Sequence, residues 1–156
     1  MNKLSHIPEE KEIRPISFIF RRTDVKISNL ISEIPVAKEL FKETVKLDLH
    51  PTGRIHWHCI GLTRIPSKPF VLEICLPIAN GPNEYDGAFH FKRTENLKSI
   101  SLVHEVSWSE IQSYEILIKY AQQQDYQANG VTRELYINGD LTDPVANVTE
   151  IQLGIN

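Results

Sequence analysis

Two stretches of alternating apolar and polar residues predict the last strand in each half of the chain. They are VLEICLPI (71–78) and VTEIQLGI (148–155), in which an apolar residue stands at every second position. This period is typical of a strand with one buried face. Each stretch follows another short strand pattern, GRIHWHCIG (53–61) and GVTRELYIN (130–138). The pattern therefore predicts two hairpins.

A helix is predicted before each hairpin, in SEIPVAKELFK (32–42) and SEIQSYEILIK (109–119). Ser32 and Ser109 are suitable N-caps, and each helix is expected to end before a turn closed by a glycine, Gly53 or Gly130. The stripes predicted to face the core are Ile34, Ala37, Leu40 and Phe41 in the first helix and Ile111, Tyr114, Leu117, Ile118 and Ala121 in the second. A further strand is expected before each helix, near 16–29 and 97–106.

The two halves are also similar in sequence. When residues 32–78 are compared with the residues 77 positions later, 13 of 47 positions are identical, against about three expected by chance. The identical positions of the first copy are Ser32, Glu33, Ile34, Leu40, Lys42, Asp48, Gly53, Ile60, Val71, Glu73, Ile74, Leu76 and Ile78. The pattern indicates an internal repeat.

The predicted fold class is α+β, with duplicated β-α-β-β units, antiparallel sheets and one long helix in each repeat. Residues 1–15 are expected to form a polar arm and 16–156 a single domain. Within that domain we place repeat one at 16–78, a Gly-, Pro- and Asn-rich connector at 79–88, and repeat two at 89–156. Because a unit of about 70 residues buries little surface alone, the repeats are expected to pack around a pseudo-two-fold axis with a binding crevice between them.

Composition narrows the class of protein. The formal net charge of −3 and the mixed distribution of charges argue against nucleic-acid binding. No apolar run approaches the ~18 residues of a membrane span, and the N-terminus lacks the apolar core of a signal peptide. With only Cys59 and Cys75, a disulfide framework is not expected. We therefore predict a cytoplasmic protein without a membrane partner or a cofactor.

Glu134 is the candidate binding residue, because it is a charge in the middle of the strand VTRELYIN. The apolar residues Ile151, Leu153 and Ile155 of the last strand are expected to face the helices. If Val131, Leu135 and Ile137 face the helices as well, then Thr132, Glu134 and Tyr136 share the opposite face. Glu134 is then either a solvated charge on an open sheet face or the acid of a pocket.

The repeat pairs Glu134 with Trp57, which lies 77 residues earlier. By the same alternation, Ile55, Trp57 and Cys59 are predicted on the face away from the helices. An indole and a carboxylate across a crevice suit a flat, apolar and even cationic ligand, because the ring offers area and a cation–π surface. Glu73 and Cys75 are also predicted on the face away from the helices.

The second half of the chain resembles a known bacterial family. Arg133-Glu134-Leu135-Tyr136, Thr149-Glu150-Ile151 and His104 are similar to the second half of the GyrI-like small-molecule-binding domain, here in stand-alone form. This is the effector-binding domain of AraC-type and MerR-type regulators. Val106 stands where the family has a glycine, and Trp108 where it has a tyrosine.

The resemblance implies a duplicated β-α-β-β fold and an aromatic-lined pocket in which Glu134 is the central acid. Ligand contacts by Tyr136, Trp57, Trp108 and Phe20 are inferred from strand alternation and residue type. We expect the chain to bind a small, mostly apolar organic molecule, cationic ones included, as a multidrug-type sensor or sequestering protein. Because the repeats and the arm take up the whole sequence, no helix-turn-helix is expected, so a role in transcription regulation would need a protein partner, whose identity is unknown.

Two alternative functions stay open. Some GyrI-like proteins hydrolyse reactive electrophilic compounds, and Glu134 with Tyr136 could then be catalytic, with the carboxylate as general base toward water. A protein-interaction role such as inhibition of DNA gyrase is the second alternative. Binding is preferred to hydrolysis on the sequence alone, although nothing in the residue spacing separates the two.

His56 and His58 raise the question of a metal site, since they share one face of the strand HWHCI. A zinc site on them needs at least one more His, Cys or carboxylate nearby. Trp57 and Cys59 are predicted on the other face, so no metal is expected here. Cys59 and Cys75 are interpreted as reduced thiols that pack on one face of the first hairpin.

Overall fold

The chain folds into antiparallel strands and two α-helices, which confirms the predicted α+β class. The computed structural model describes residues 7–63, 65–105, 110–138 and 148–156. In chain order the elements are β1 (Glu9–Ile13), β2 (Ser17–Val25), α1 (Val36–Lys46), β3 (His56–Ile60), β4 (Phe70–Pro77), β5 (His90–Arg93), β6 (Leu97–Glu105), α2 (Glu110–Gln123), β7 (Ala128–Asn138) and β8 (Val148–Ile155). A 3-10 helix, Ile27–Glu33, precedes α1.

The contacts divide the chain into two units. The central unit is Arg14–Glu95, and the C-terminal unit combines the chain up to Ile13 with Asn96–Asn156. The strand order is β3-β4-β2-β5 in the central unit and β1-β6-β8-β7 in the C-terminal unit. Strand β5, which the sequence placed in repeat two, pairs with β2 of the central unit. The internal repeat stays an interpretation of the sequence.

Strand β1 lies in the segment that the sequence predicted to be a polar arm. It pairs antiparallel with β6, with Glu10 opposite Ile100. The hydroxyls of Tyr120 and Tyr126 donate to Glu10 Oε2 and Oε1 at 2.8 and 2.5 Å. These hydrogen bonds, from Tyr126 and then Tyr120, hold the pKa of the exposed Glu10 carboxyl below its usual value. The backbone pairing with β6 and the hydrogen bonds to Glu10 therefore attach β1 to the C-terminal unit.

The core of the central unit lies between α1 and one face of the sheet. Leu72, Ile74 and Leu76 of β4 are almost fully buried there. The helix contributes Val36, Leu40 and Thr44, which follow one another at four-residue intervals. Of the predicted stripe, Leu40 is buried and Ala37 is half-buried. The prediction is wrong for Ile34 and Phe41, which are 39% and 42% exposed.

The start of α1 explains the shifted stripe. The N-cap of α1 is Pro35, whereas Ser32, the predicted N-cap, belongs to the preceding 3-10 helix. Ser32 Oγ donates to the carbonyl of Asn29 at 2.6 Å and makes no cap bond. A helix whose N-cap lies three residues later presents other side chains to the sheet. The predicted capping box of α2 begins at Ser109, outside the described residues.

Both helices end in a left-handed residue, but this residue is an aspartate and not the predicted glycine. Asp48 and Asp125 have φ of 56° and 61°. The following N–H groups donate back five residues, Leu49 to Thr44 at 2.9 Å and Tyr126 to Ala121 at 2.8 Å, the bond of a Schellman motif. Aspartate is among the few residues that enter this region readily.

The core of the C-terminal unit lies between α2 and β6 and β8. It contains Ile151, Leu153 and Ile155 of β8, so the predicted face of this strand is confirmed. From the predicted stripe of α2, Leu117 and Ala121 are buried in this core and Tyr114 packs against it. Neither α2 nor any other described helix has the length and apolarity needed to cross a membrane.

The two cysteines lie on opposite faces of the central sheet, which corrects the prediction that they share one face. Cys59 is opposite Leu72 and belongs to the core under α1, whereas Cys75 is opposite His56 and Phe20. Directly opposed residues of antiparallel strands point to the same side of the sheet, and side chains alternate along each strand. Cys59 therefore points to the side of Leu72, and Cys75 points to the other side. Both cysteines are buried.

Candidate functional site

Glu134 lies under α2, so the predicted side of the sheet is wrong. It is directly opposite Ile151, whose side chain is in the core beneath the helix. By alternation Thr132 and Tyr136 share this face, while Ile137, expected in the core, is 40% exposed. The alternation within the strand identified the residues that share a face, but the neighbouring strand β8 decides which face is covered.

Two tyrosine hydroxyls hold the Glu134 carboxylate. Tyr114, on α2, donates to Oε2 at 2.5 Å, and Tyr136, on β7, donates to Oε1 at 3.1 Å. Glu134 is only 8% exposed, whereas both tyrosines are half-buried. An oriented carboxylate thus lies between two tyrosine hydroxyls in the interface between α2 and the sheet.

His104 of β6 is next to this carboxylate. Burial lowers the pKa of His104 below its ordinary value, and the charge of Glu134 acts in the opposite direction. The His104 Nδ1 and Ser113 Oγ atoms are 2.9 Å apart. This contact joins β6 to the first half of α2, the part of the helix that also carries Tyr114.

The Ser113–His104 contact resembles the hydroxyl–imidazole pair of a nucleophilic site, but its surroundings favour a structural role. Ser113 is 0% exposed, so a substrate carbonyl has no access to its oxygen. Its position on α2 instead fixes the His104 ring at the sheet. We name Glu134, Tyr114, Tyr136 and His104 the Glu134 site.

The Glu134 site can accept hydrogen bonds and attract positive charge. A carboxylate inside a protein interacts more strongly with a cation than one in water, because the effective dielectric constant is lower. Aromatic rings beside it add cation–π attraction for ammonium and related ions. The chemistry is therefore that of an acceptor for a small cation or a hydrogen-bond donor.

Trp57 also lies on the helix-covered face, which corrects its prediction in the same way. It is opposite Ile74 and packs, half-buried, against the core under α1. Ile55 and Cys59, which the sequence placed on the same face as Trp57, contact that core too. Trp57 and Glu134 thus both lie on the helix-covered face of their own strands. Both predictions are wrong for one reason: the alternation within a strand does not tell which of its two faces is covered by the helix.

The remaining predicted ligand contacts are distributed differently. Phe20 is opposite Cys75 and is buried on the face of the central sheet away from α1, opposite to the face of Trp57. Trp108 lies outside the described residues. Of the five predicted contacts, Glu134 and Tyr136 are the pair that the described structure brings into direct hydrogen-bond contact.

Sequence reasoning missed Tyr114 and His104 as parts of the site. Tyr114 was assigned to the core stripe of α2, and its hydroxyl was the available signal, since a buried phenol usually finds a polar partner. His104 was noted for its resemblance alone. His104 is opposite Thr149 of β8, two residues before Ile151, the residue opposite Glu134. This position follows from the register of β6 with β8. Sequence alone does not give that register.

Among the described residues, a group of side chains close enough to hold a metal ion together lies in the central unit. His58, Glu73 and Cys75, all buried, have ligand atoms within 4.8 Å of one another. Glu73 and Cys75 lie on the face away from α1, as predicted. His56 and His58 share one face, also as predicted, but it is the face away from α1 and not the one toward the helix. The sequence did not indicate that the histidines meet the Glu73–Cys75 pair.

No protein-family model and no curated protein matches the chain. Solved structures do match its fold. The EcmrR C-terminal domain is similar with a TM-score of 0.78 and 21% identity, over 96% of this chain and 97% of that domain. In the EcmrR–DNA complex the match, at 20% identity and a TM-score of 0.78, covers 96% of this chain and 57% of the longer protein.

Two further structures match at lower identity. SAV2435 bound to tetraphenylphosphonium has a TM-score of 0.63 and 17% identity, over 96% of this chain and 94% of that one. A hydrolase from Listeria innocua has a TM-score of 0.61 and 11% identity, over 96% and 91%. At these identities the comparisons establish the fold alone.

Proposed function

We propose that the chain is a small-molecule-binding protein of the GyrI-like type and that the Glu134 site binds a largely apolar organic cation. The observation that carries the proposal is the buried Glu134 carboxylate, held by the hydroxyls of Tyr114 and Tyr136. A charge kept inside a helix–sheet interface is costly and is retained where it has a use.

The fold comparisons support the same class of function. Among the similar structures are the EcmrR C-terminal domain and SAV2435 bound to tetraphenylphosphonium, an aromatic cation. For this chain we infer a sensor or sequestering role toward compounds of that kind. Contacts from Tyr136, Phe20, Trp57 and Trp108 to the ligand remain predictions.

The half-buried tyrosines supply the apolar part of the proposed site. Tyr114 and Tyr136 are half-buried, so part of each side chain beside Glu134 is accessible to a ligand. Their rings favour aromatic cations over small inorganic ones through area and cation–π attraction. The proposed specificity is thus for charge and aromatic surface together.

Thermal unfolding in the presence of tetraphenylphosphonium and quaternary aromatic ammonium dyes tests the proposal. A ligand present at about 100 times its Kd stabilises the folded state by about 2.7 kcal/mol, which raises the Tm by several degrees. We expect such a rise for the wild type and its loss in Glu134→Gln. The matched control is Glu10→Gln, because Glu10 also accepts from two tyrosines of the same unit but is exposed.

Three results would count against the proposal. The wild type would show no Tm rise with any cation, or Glu134→Gln would retain the full rise, or Glu10→Gln would lose it equally. Conversion of the added compound to a product, abolished in Glu134→Gln while ligand binding persists, would instead favour hydrolysis with Glu134 as general base.

A further inference from the structure

A buried cluster of His58, Glu73, Cys75 and Lys92 lies on the face of the central sheet away from α1. Lys92 Nζ is 2.9 Å from His58 Nδ1 and 2.6 Å from Glu73 Oε1. Cys75 Sγ is 3.5 Å from the same His58 Nδ1. A cationic group therefore touches two of three side chains that are all common metal ligands.

We propose that His58, Glu73 and Cys75 form a binding site for a divalent transition metal, zinc in the first place, and that Lys92 occupies this site when the metal is absent. The chemistry of the three donors carries the choice of metal. An imidazole, a thiolate and a carboxylate are ligands of zinc, whereas magnesium and calcium take oxygen ligands. Three protein ligands leave one position of a tetrahedral zinc ion for water.

The spacing of the donor atoms agrees with that ion. Zinc bond lengths to sulfur and nitrogen at a tetrahedral angle place the two ligand atoms about 3.6 Å apart. The distance from Cys75 Sγ to His58 Nδ1 is 3.5 Å. The nitrogen and sulfur are thus already placed as two ligands of one ion.

The tautomer of His58 is also the one that a metal needs. Because Lys92 donates to His58 Nδ1, this nitrogen is unprotonated and Nε2 carries the hydrogen. Nε2 is 3.3 Å from His56 Nδ1, which then accepts. A partner on the second ring nitrogen of a ligating histidine is typical of metal sites, where it fixes the tautomer and the ring.

Neighbouring side chains hold the donors in place. The Phe18 ring packs edge-on against the rings of both His56 and His58, each at a centroid distance of 5.0 Å. Arg22 NH1 is 3.6 Å from Glu73 Oε2, so it retains the carboxylate while Oε1 turns to the metal. The ligands are therefore oriented before any ion enters.

Metal entry requires that Lys92 moves and that Cys75 loses its proton. Lys92 lies on the short edge strand β5, and its side chain is 22% exposed. Lys92 and Phe18 both line a cavity of about 270 Å³. The thiol proton goes to solvent when Sγ binds the ion, so binding releases one proton and weakens at low pH.

Titration of the untagged full chain with Co²⁺, followed by displacement with Zn²⁺, tests the site. A cobalt–thiolate charge-transfer band in the near ultraviolet reports directly on sulfur ligation. We expect this band in the wild type, its loss in Cys75→Ser, and its retention in Cys59→Ser. Cys59 is the matched control, since it is also a buried cysteine but lies on the opposite face of the sheet.

A second variant decides the outcome if Cys75→Ser does not fold. Lys92→Leu removes the competing cation and leaves all three ligands, so it should bind Zn²⁺ about tenfold more tightly than the wild type. Absence of the cobalt band from both the wild type and Lys92→Leu would overturn the proposal. Its persistence in a folded Cys75→Ser variant would do the same.

Discussion

Glu134 and Glu10 show how surroundings, and not partners, distinguish a candidate site from a surface contact. Each carboxylate accepts hydrogen bonds from two tyrosine hydroxyls of the same unit. Glu10 is exposed, so solvent screens its charge, whereas Glu134 is 8% exposed. The same kind of donor pair therefore holds a solvated carboxylate at Glu10 and a buried carboxylate at Glu134, where a cation would be attracted more strongly.

His104 provides a pH-dependence prediction at the Glu134 site. Because burial lowers its folded-state pKa, the unfolded chain takes up a proton that the folded chain resists. The contribution of neutral His104 to stability is therefore complete above the ordinary histidine pKa of about 6.5 and is lost as the pH falls below it. Glu134 reduces the effect without reversing it.

Urea unfolding at a pH of about 8 and about 5.5 measures this contribution. The wild type is expected to lose more free energy of unfolding between the two conditions than His104→Gln, in which the side chain stays neutral. The other histidines titrate in both proteins and cancel in the comparison. Equal losses in the two proteins would contradict the assignment of a lowered pKa to His104.

At the scale of elements, the two helices and the two closing hairpins follow from the sequence, but their details depend on tertiary contacts. The period-two pattern of β8 gave the correct buried face, because its apolar residues all lie on one side. In β7 the apolar residues Val131, Leu135 and Ile137 fall in one alternating set, so the pattern alone favoured the wrong side for Glu134. Leu135 is opposite Glu150, however, and Glu134 is opposite the core residue Ile151. Register against Ile151 and the reach of Tyr114 from α2 decide it.

The ends of α1 and α2 give a prediction about the backbone. Asp48 and Asp125 are exposed and have positive φ, a region that strongly disfavours β-branched residues. Valine at either position should lower the free energy of unfolding by about 1–2 kcal/mol, whereas glycine should leave it unchanged or raise it. Chemical denaturation of the four single variants measures these differences.

The control for the aspartate variants is Asp24→Val. Asp24 is exposed on strand β2, where a β-branched residue is well tolerated. We expect it to be close to neutral. If Asp24→Val destabilises the chain as much as Asp48→Val does, the loss of an aspartate side chain, and not the left-handed backbone, explains the effect.

At the scale of the whole molecule, the sequence predicted the fold class but not which strands belong to which unit. The exchange of short edge strands was not visible: β1 joins the C-terminal unit and β5 joins the central unit. Both strands are short, and each contains several charged or polar residues, so periodicity gives little signal. For the same reason the meeting of His58 with Glu73 and Cys75 emerges only from the register of β3 with β4.

The most direct test of the central claim is calorimetric titration of the whole chain with a charged and a neutral ligand of similar shape. Tetraphenylphosphonium is the charged ligand and triphenylphosphine oxide the neutral one, each measured against the wild type and Glu134→Gln. We predict that the substitution weakens binding of the cation at least about tenfold, or about 1.4 kcal/mol, and leaves binding of the neutral compound unchanged. Equal effects on both ligands, or no effect on the cation, would contradict the role of Glu134 as the charge that selects the ligand.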